Sequence, residues 1–595
     1  MSVSYSRLED GQIRLLTFLD DSGHRCSLTS HDLLNAPPYI ALSYTWGQAA
    51  YQKGRSPTQK YQAEIDSSVI SIQQNLYDAL EHLGHNVLRR GCKMWIDFLC
   101  INQSDTSERS SQVSLMKEIY ERATAVYSWL GLPFDDNEAG LAVALMRCFT
   151  ERLLNLLAAH KKDIEQIDKT INKSTHGWPT VANADSWSAW EGIADMFDRA
   201  YWRRTWIYQE ATTPGEICFF CGNHSFHYKH LMATILFGRR FTRVGGFPSK
   251  FAKAVDSPSC AAGLLKARLE RGQGRERHLL ELMLEFRSCL CTDARDKVFA
   301  ALGHAEDVPA GSISADYTKE LVDVYTDVVQ FALEHENIGL SIFEATFHPA
   351  RDSKDPKLSA VLSPAMPSWV PDWRNNARLG SLQRGKSMWE DKNALFDPCP
   401  GTSIEYSIDK GILTLSGFVL DDILNVTIIW DGPLSHEFLK IPQVWEKELQ
   451  LSGYDIQNLP QEYRRALVAD TRYTLASLTR GHILDWGSIT AADDILDVKS
   501  LSLKQNTWSQ LVMTSHGRRM GVITGGRLGI FPPATSPGDK VAMFMGGKLL
   551  YVIRPVARCE GYVLIGECYV NGLMDGEAME PIVRTDRSPE RIKLL

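Results

Sequence analysis

The stretch from Met94 to Gly131, MWIDFLCINQSDTSERSSQVSLMKEIYERATAVYSWLG, constrains the fold more than any other because it reads as strand, helix, strand. Met94, Trp95 and Ile96 form a short apolar run ending in Asp97, which suits a buried strand whose carboxyl end presents an acid. Asp105 with Glu108 three residues later is a capping-box arrangement, so a helix is expected to begin near Thr106 with Glu108 reaching back as the reciprocal partner. Val113, Met116, Ile119, Tyr120 and Ala123 then give that helix one apolar stripe. Ala125 to Leu130 is a second apolar strand, stopped at Gly131-Leu132-Pro133. Strand, helix and strand with short connections make a parallel crossover unit, and such sheets bind ligands at the carboxyl ends of their strands.

Flanking segments extend the pattern. Ile13 to Phe18 is a short strand, and Tyr39 to Gly47, YIALSYTWG, is another that ends in a turn at Trp46-Gly47. A polar loop spans Gln48 to Lys60, and a tight hairpin around Asp66-Ser67-Ser68 spans Glu64 to Ile72. Leu76, Ala79, Leu80 and Leu83 mark a helix closed by Gly84. Asp135 to Met196 interrupts with helical sequence, clearest at Ala142 to Leu157, with a charged and exposed stretch from His160 to Lys173. Ala200 to Ala211, AYWRRTWIYQEA, reads as a helix stopped by Pro214-Gly215, and Glu216 to Cys221 as a strand. The expectation is an α/β domain of flavodoxin-like type over residues 1–230, with a helical insertion at about 135–196. A mainly helical region with an extended, packed linker at Pro367 to Trp373 follows over 231–400. Residues 401–595 are β-rich, a small barrel or sandwich, with a charged helical insertion at Gln443 to Arg480.

Composition narrows the function. In 595 residues, 64 basic against 72 acidic side chains leave a formal charge of −8, with no basic surplus to neutralise nucleic-acid phosphates or to dock on an anionic membrane. The first residues carry acids where a signal peptide needs its apolar core, and no apolar run of membrane-spanning length occurs, so a cytosolic or nuclear protein is the default, with the cytoplasm as the expectation. Cys218 and Cys221, followed by His224 and His227, crowd four metal-ligating side chains together. A Cys-x-x-Cys pair usually needs a distant second pair to close a tetrahedron, and these cysteines lie in an apolar strand-like run, so buried reduced thiols are the reading and no metal is expected. Phosphate loops, serine-hydrolase elbows and zinc-protease motifs are absent from the sequence. Asp293, Arg295, Asp296 and Lys297 in TDARDKVFAALG, with Val298, Phe299 and Leu302 on a core face, read as an ion-paired helix start.

YIALSYTWG, WIDFLCINQSDTSERSSQVSLMKEIY and AVYSWLG, in that order, closely resemble the heterokaryon-incompatibility (HET) domain of filamentous fungi. The resemblance continues through RRTWIYQE, DARDKVFAALG and SWVPDW, and more loosely into GECYVNGLMDGE near the end. It implies a role in non-self recognition and in the cell death that follows fusion of unlike fungal cells. It also implies a distant relation to Toll/interleukin-receptor (TIR) domains, some of which cleave NAD with a glutamate on a tryptophan-to-glutamate helix. Trp206-Ile207-Tyr208-Gln209-Glu210 has a similar spacing. On one continuous helix, at roughly 100° per residue, Arg203, Trp206 and Glu210 would share a face.

These residues suit cleavage of the nicotinamide–ribose bond. Its oxocarbenium-like state is stabilised by a nearby carboxylate, an arginine can grip a diphosphate bidentately, and an aromatic can stack on a base. Glu210 is the candidate catalytic carboxylate; Ser43, Tyr44, Trp46, Asp97, Arg203 and Trp206 are the candidate binding residues, with NAD as substrate and no resident cofactor. Against this stands a structural reading, a tryptophan anchor and a salt-bridged glutamate. The corresponding function is a non-catalytic, self-associating module that answers to a protein partner or trigger.

Overall fold

The computed structural model describes residues 5–46, 61–159, 184–213, 215–242, 261–309, 311–335, 338–350, 366–375, 379, 382, 395–431, 441–454, 460–473, 478–480, 514–557 and 559–595. The loop expected at Gln48 to Lys60, the charged stretch at His160 to Lys173 and the stop at Pro214 lie outside them. The chain divides into two compact units, Met1–Glu320 and Leu321–Leu595. The helices between residue 231 and Glu320 therefore belong with the α/β sheet, whereas residues 321–400 belong with the β-rich part.

The first unit is built on a nine-stranded mixed sheet. Its strands are β1 (Gln12–Phe18), β2 (Arg25–Asp32), β3 (Tyr39–Tyr44), β4 (Tyr61–Ile65), β5 (Ser68–Ile72), β6 (Lys93–Trp95), β7 (Ala125–Trp129), β8 (Glu216–Cys221) and β9 (His224–His227). Their order is β5-β4-β2-β1-β6-β3-β7-β8-β9. β6, β3, β7 and β8 are mutually parallel; numbered among themselves along the chain they run 2-1-3-4, the start of the flavodoxin-like order. β3 lies inside this core, and all six of its residues are buried. The β4–β5 hairpin turns through Asp66 and Ser67, both at positive φ, as a two-residue turn requires.

Helix α1 (Gln74–Arg89) buries Leu76, Ala79, Leu80, Leu83 and Val87. It does not stop at Gly84, which sits inside it. A Cβ there would lie 2.6 Å from the Gly23 Cα, so this glycine permits close approach of two backbones rather than ending a helix. After β6, Asp97–Cys100 forms a single helical turn (α2), and α3 spans Thr106–Arg122. Asp105 caps α3 by accepting from Ser107 N (3.0 Å) and Glu108 N (3.1 Å). Glu108 does not complete the box. Its carboxylate accepts from Asn102 N (2.7 Å) and takes both guanidinium nitrogens of buried Arg14 on β1, at 2.6 and 2.8 Å. The buried arginine takes the carboxylate because its desolvation must be compensated, and Asp105 N donates instead to Asn102 O (3.1 Å).

Helices α4 (Asp136–Ala159) and α5 (Ala184–Phe197) form the insertion and pack together, with α7 (Tyr228–Thr242) against α4. Between α5 and β8 lie a 3₁₀ turn, Ala200–Arg203, and the short helix α6 (Ile207–Ala211). Helices α8 (Ala261–Gly272), α9 (Leu279–Phe286) and α10 (Asp296–Leu302) complete the unit.

The second unit opens with α11 (Leu321–Glu334), and its sheet is antiparallel but for one parallel contact at the final strand. The long strand β11 (Ile412–Val426) pairs β14 (Arg519–Ile523) with one part of its length and β16 (Lys540–Phe544) with another. β15 (Leu528–Phe531), β18 (Tyr562–Val570) and β17 (Leu550–Pro555) connect those two partners in order, which closes the ring into a barrel. Register shifts at Val419/Asp421 and Ile423/Asn425 bend β11 enough to serve both neighbours. Ile441–Leu451 and Pro460–Leu467 are helical and pack Trp445, Leu449 and Leu467 onto Met520, Val522 and Ile530. Thr471–Tyr473 and Leu478–Arg480, expected to be helical, instead pair as a short ribbon. In the Pro367 to Trp373 segment Trp369 and Trp373 are fully buried, and the Trp369 indole donates to Gly411 O (3.1 Å). Among the described residues no helix is long and apolar enough to cross a membrane.

The Arg14–Glu108 pair ties β1 to the start of α3. Arg14→Met should lower the stability of this unit by about 3 kcal/mol in urea unfolding, and Arg14→Met/Glu108→Leu should recover most of the loss, because an apolar pair leaves no orphaned charge. Equal losses in the single and double variants would refute this account.

Candidate active site

The crevice outside the carboxyl ends of β3 and β7 is where a sheet of this order places its ligand site. β3 delivers Ser43 and Tyr44 there, with Trp46 two residues beyond; Asp97 follows the neighbouring β6. Glu210, on α6, comes to the same place. It is 1% exposed; Ser43 Oγ donates to its Oε2, and Arg204 Nη1 donates to the same oxygen at 3.0 Å. Tyr201 OH lies 2.8 Å from Ser43 Oγ, and as Ser43 gives its proton to Glu210, Tyr201 is the donor to Ser43.

Ala200 to Ala211 is not one helix. Arg204 is extended (φ −74°, ψ 139°), between the 3₁₀ turn and α6. Tertiary backbone pairing explains the break: Leu290 N donates to Arg203 O (2.5 Å) and Thr205 N to Leu290 O (3.0 Å), a parallel bridge between Arg204 and Leu290. The break rotates the two halves, and it is Arg204 that meets Glu210. Arg203 is turned away, 54% exposed, with Asp198 as its partner at 3.0 Å. Trp206 is the N-cap of α6 and half-buried, and it interacts with Asp296 rather than with Glu210.

Asp97 is the second acid. Its carboxylate accepts from the Trp46 indole (2.9 Å) and from Phe98 N (2.7 Å), and it interacts with Tyr44. Although Asp97 keeps some exposed surface, its carboxyl is enclosed. Burial pushes it up to about 6; Arg204 opposes the rise, and Glu210 adds to it. Burial works against the charge on Arg204, yet Glu210, Asp97, Tyr120 and Tyr201 overcome it and hold the proton more tightly than usual. Burial foremost raises Tyr44, Tyr120 and Tyr201, so all three are neutral donors at physiological pH. Trp46 stands at the rim, 37% exposed, with Phe98 edge-on at 5.5 Å. Glu210 pairs with Arg204 and Asp97 acts electrostatically on the same guanidinium, so two acids stand against one cation here.

Of the residues expected at the site, Ser43, Tyr44, Trp46, Asp97 and Glu210 converge, and Arg203 and Trp206 do not. Arg204, Tyr201 and Tyr120 join them. Arg204 was one residue from the expected cation, and only the broken helix reveals the exchange. Cys218 and Cys221 do not form a metal cluster with the nearby histidines. The register sets Cys218 opposite His227 and Cys221 opposite His224, and the odd spacing puts the two pairs on opposite faces of the sheet.

Residues 39–210 match the heterokaryon incompatibility protein (HET) family, from the first residue of β3 to Glu210 itself. Residues 495–587 match the Het-6 beta-barrel domain, which agrees with the closed ring described above. The chain is thus similar to heterokaryon incompatibility proteins in both its α/β and its barrel regions. It is 25% identical to heterokaryon incompatibility protein 6, OR allele, of Neurospora crassa, over 94% of this chain and 93% of that protein. No solved structure matches it. Ser43, Asp97, Arg204 and Glu210 all fall within the HET span.

The raised Asp97 gives a pH signature. An acid whose folded pKa exceeds its unfolded value of 3.8 supports folding most below that value and loses the contribution as pH rises through about 6. Asp97→Asn, which keeps an acceptor and removes the charge, should therefore gain stability relative to the parent between pH 4.5 and pH 7.5. The gain should be about 1–3 kcal/mol in denaturant unfolding. A difference that does not change with pH would refute the assignment.

Proposed function

We propose that this protein acts in fungal non-self recognition and the cell death that follows, and that its HET domain does so by cleaving NAD at the Glu210 site. The match to the heterokaryon incompatibility family model and the similarity to heterokaryon incompatibility protein 6 support the first part. A single juxtaposition carries the second: Glu210 and Asp97 flank one guanidinium, Arg204, outside β3, with Trp46 at the rim. In this reading Trp46 stacks on a base of the dinucleotide and Arg204 turns from Glu210 to the diphosphate. Glu210 then faces the ribose, where its charge stabilises the oxocarbenium-like state as the C1′–N bond breaks. The bonding electron pair leaves with the nicotinamide, which departs neutral. Water adds to C1′ and yields ADP-ribose, its proton passing to Asp97 or solvent. On this reading the protein acts in the cytoplasm, where NAD is available.

One observation favours a second reading. Glu210 is almost wholly covered, and Ser43 and Arg204 already satisfy it, so the trio also serves as a structural ion pair in a domain that signals by self-association. Expression of the full chain in a fungal or yeast host separates the two. On the enzymatic reading, the parent depletes cellular NAD and stops growth, and Glu210→Gln slows NAD loss by about 10²–10³-fold. Growth arrest by both proteins without NAD loss would discard the enzymatic reading and leave assembly as the signal.

A further inference from the structure

The segment Asp293–Gly303 lies outside the HET span, yet it touches the Glu210 turn at several points. Lys297, 4% exposed, donates from Nζ to Phe286 O (2.9 Å), Arg287 O (3.0 Å) and Cys289 O. A cation there caps the end of α9, where unpaired carbonyls concentrate partial negative charge. It thereby fixes the loop that carries Leu290, whose backbone breaks the chain at Arg204. Asp296 accepts from Tyr317 OH (2.6 Å) and interacts with Trp206 at the start of α6. Gln209, next to Glu210, donates to Ala300 O (3.0 Å). Gly303 leaves the space that Gln209 fills, since a Cβ there would lie 2.3 Å from Gln209 Nε2.

From this geometry we propose that the Asp293–Gly303 segment is a clamp on the Glu210 turn, with Lys297 and Gly303 as positioning residues that set Arg204 against Glu210 and keep the carboxylate covered. Lys297 acts on Arg204 through the Leu290 backbone, and Gly303 acts on Glu210 through Gln209. The clamp concerns the carboxylate invoked above, but its effect on cover and position can be read without any activity.

The test is carboxylate labelling of the purified full chain with carbodiimide and glycine ethyl ester, read residue by residue by mass spectrometry. Lys297→Met and Gly303→Ala should each raise Glu210 labelling by about tenfold, as local opening does, while exposed Glu9 and Glu151 label at the parent rate. Lys297→Arg, which keeps charge and donors, should stay closer to the parent than Lys297→Met. Gly303→Ala/Gln209→Ala should label no faster than Gln209→Ala alone, because the clash is then gone. Should Lys297→Met fail to fold, Gly303→Ala and its double variant decide the matter. Glu210 labelling within twofold of the parent in the single variants, a rise shared by every carboxylate, or failure of Gln209→Ala to suppress Gly303→Ala would overturn the clamp. Labelling as expected with NAD untouched would uphold the clamp and count only against catalysis.

Discussion

The Arg204–Glu210 pair is the interaction on which the site depends. Moving two charges out of water costs several kcal/mol each, and their attraction offsets this only when geometry is good and the remaining lone pairs are satisfied. Here the compensation comes from three directions. Ser43 donates from the central strand, Tyr201 orients Ser43, and the backbone bridge to Leu290 fixes where Arg204 starts. Each partner sits on a different element, so the pair specifies how β3, the broken 200–211 segment and the helices after α7 come together. A lone buried charge at any of these points would be an open cost.

The same arrangement explains why the α/β unit runs on to Glu320. A parallel sheet needs cover on both faces, and at the carboxyl end of β3 the cover must also accommodate charge. α6 has only five residues and cannot hold itself. Asp296 at its start, Ala300 and Gly303 beside Gln209, and the Lys297-braced loop supply from outside what a longer helix would supply from its own hydrogen bonds.

Much of this was legible in the sequence because it rests on local rules. The Met94 to Gly131 unit, the cap at Asp105 and the 66–67 turn follow from apolar period, capping chemistry and turn residues. Elements failed where a tertiary contact outbid a local preference. Gly84 reads as a helix end, but the constraint on it is Gly23 across the fold. Glu108 reads as a capping partner, but Arg14, ninety-four residues away, takes its carboxylate. The helix over 200–211 is sound by propensity and is broken by Leu290, which no periodicity could indicate. That break moved the cation from Arg203 to Arg204. The acids were easier to find, since a strand end fixes Asp97 and one residue spacing fixes Glu210. In the second unit the strands were visible, but their closure depends on bulges in β11 that carry no sequence mark.

A covered carboxylate and a catalytic one are compatible if opening is part of function. Breaking a buried pair of this kind costs about 3–5 kcal/mol, which corresponds to an open form populated at about one part in 10² to 10⁴. A protein built so would be nearly silent at rest. Any partner or assembly that binds the open form better by the same amount would release it, and one that binds both forms equally would change nothing. For a protein with the role proposed above this is a physical requirement: the resting activity must be low enough to live with, and the gap must stay small enough for one recognition event to close.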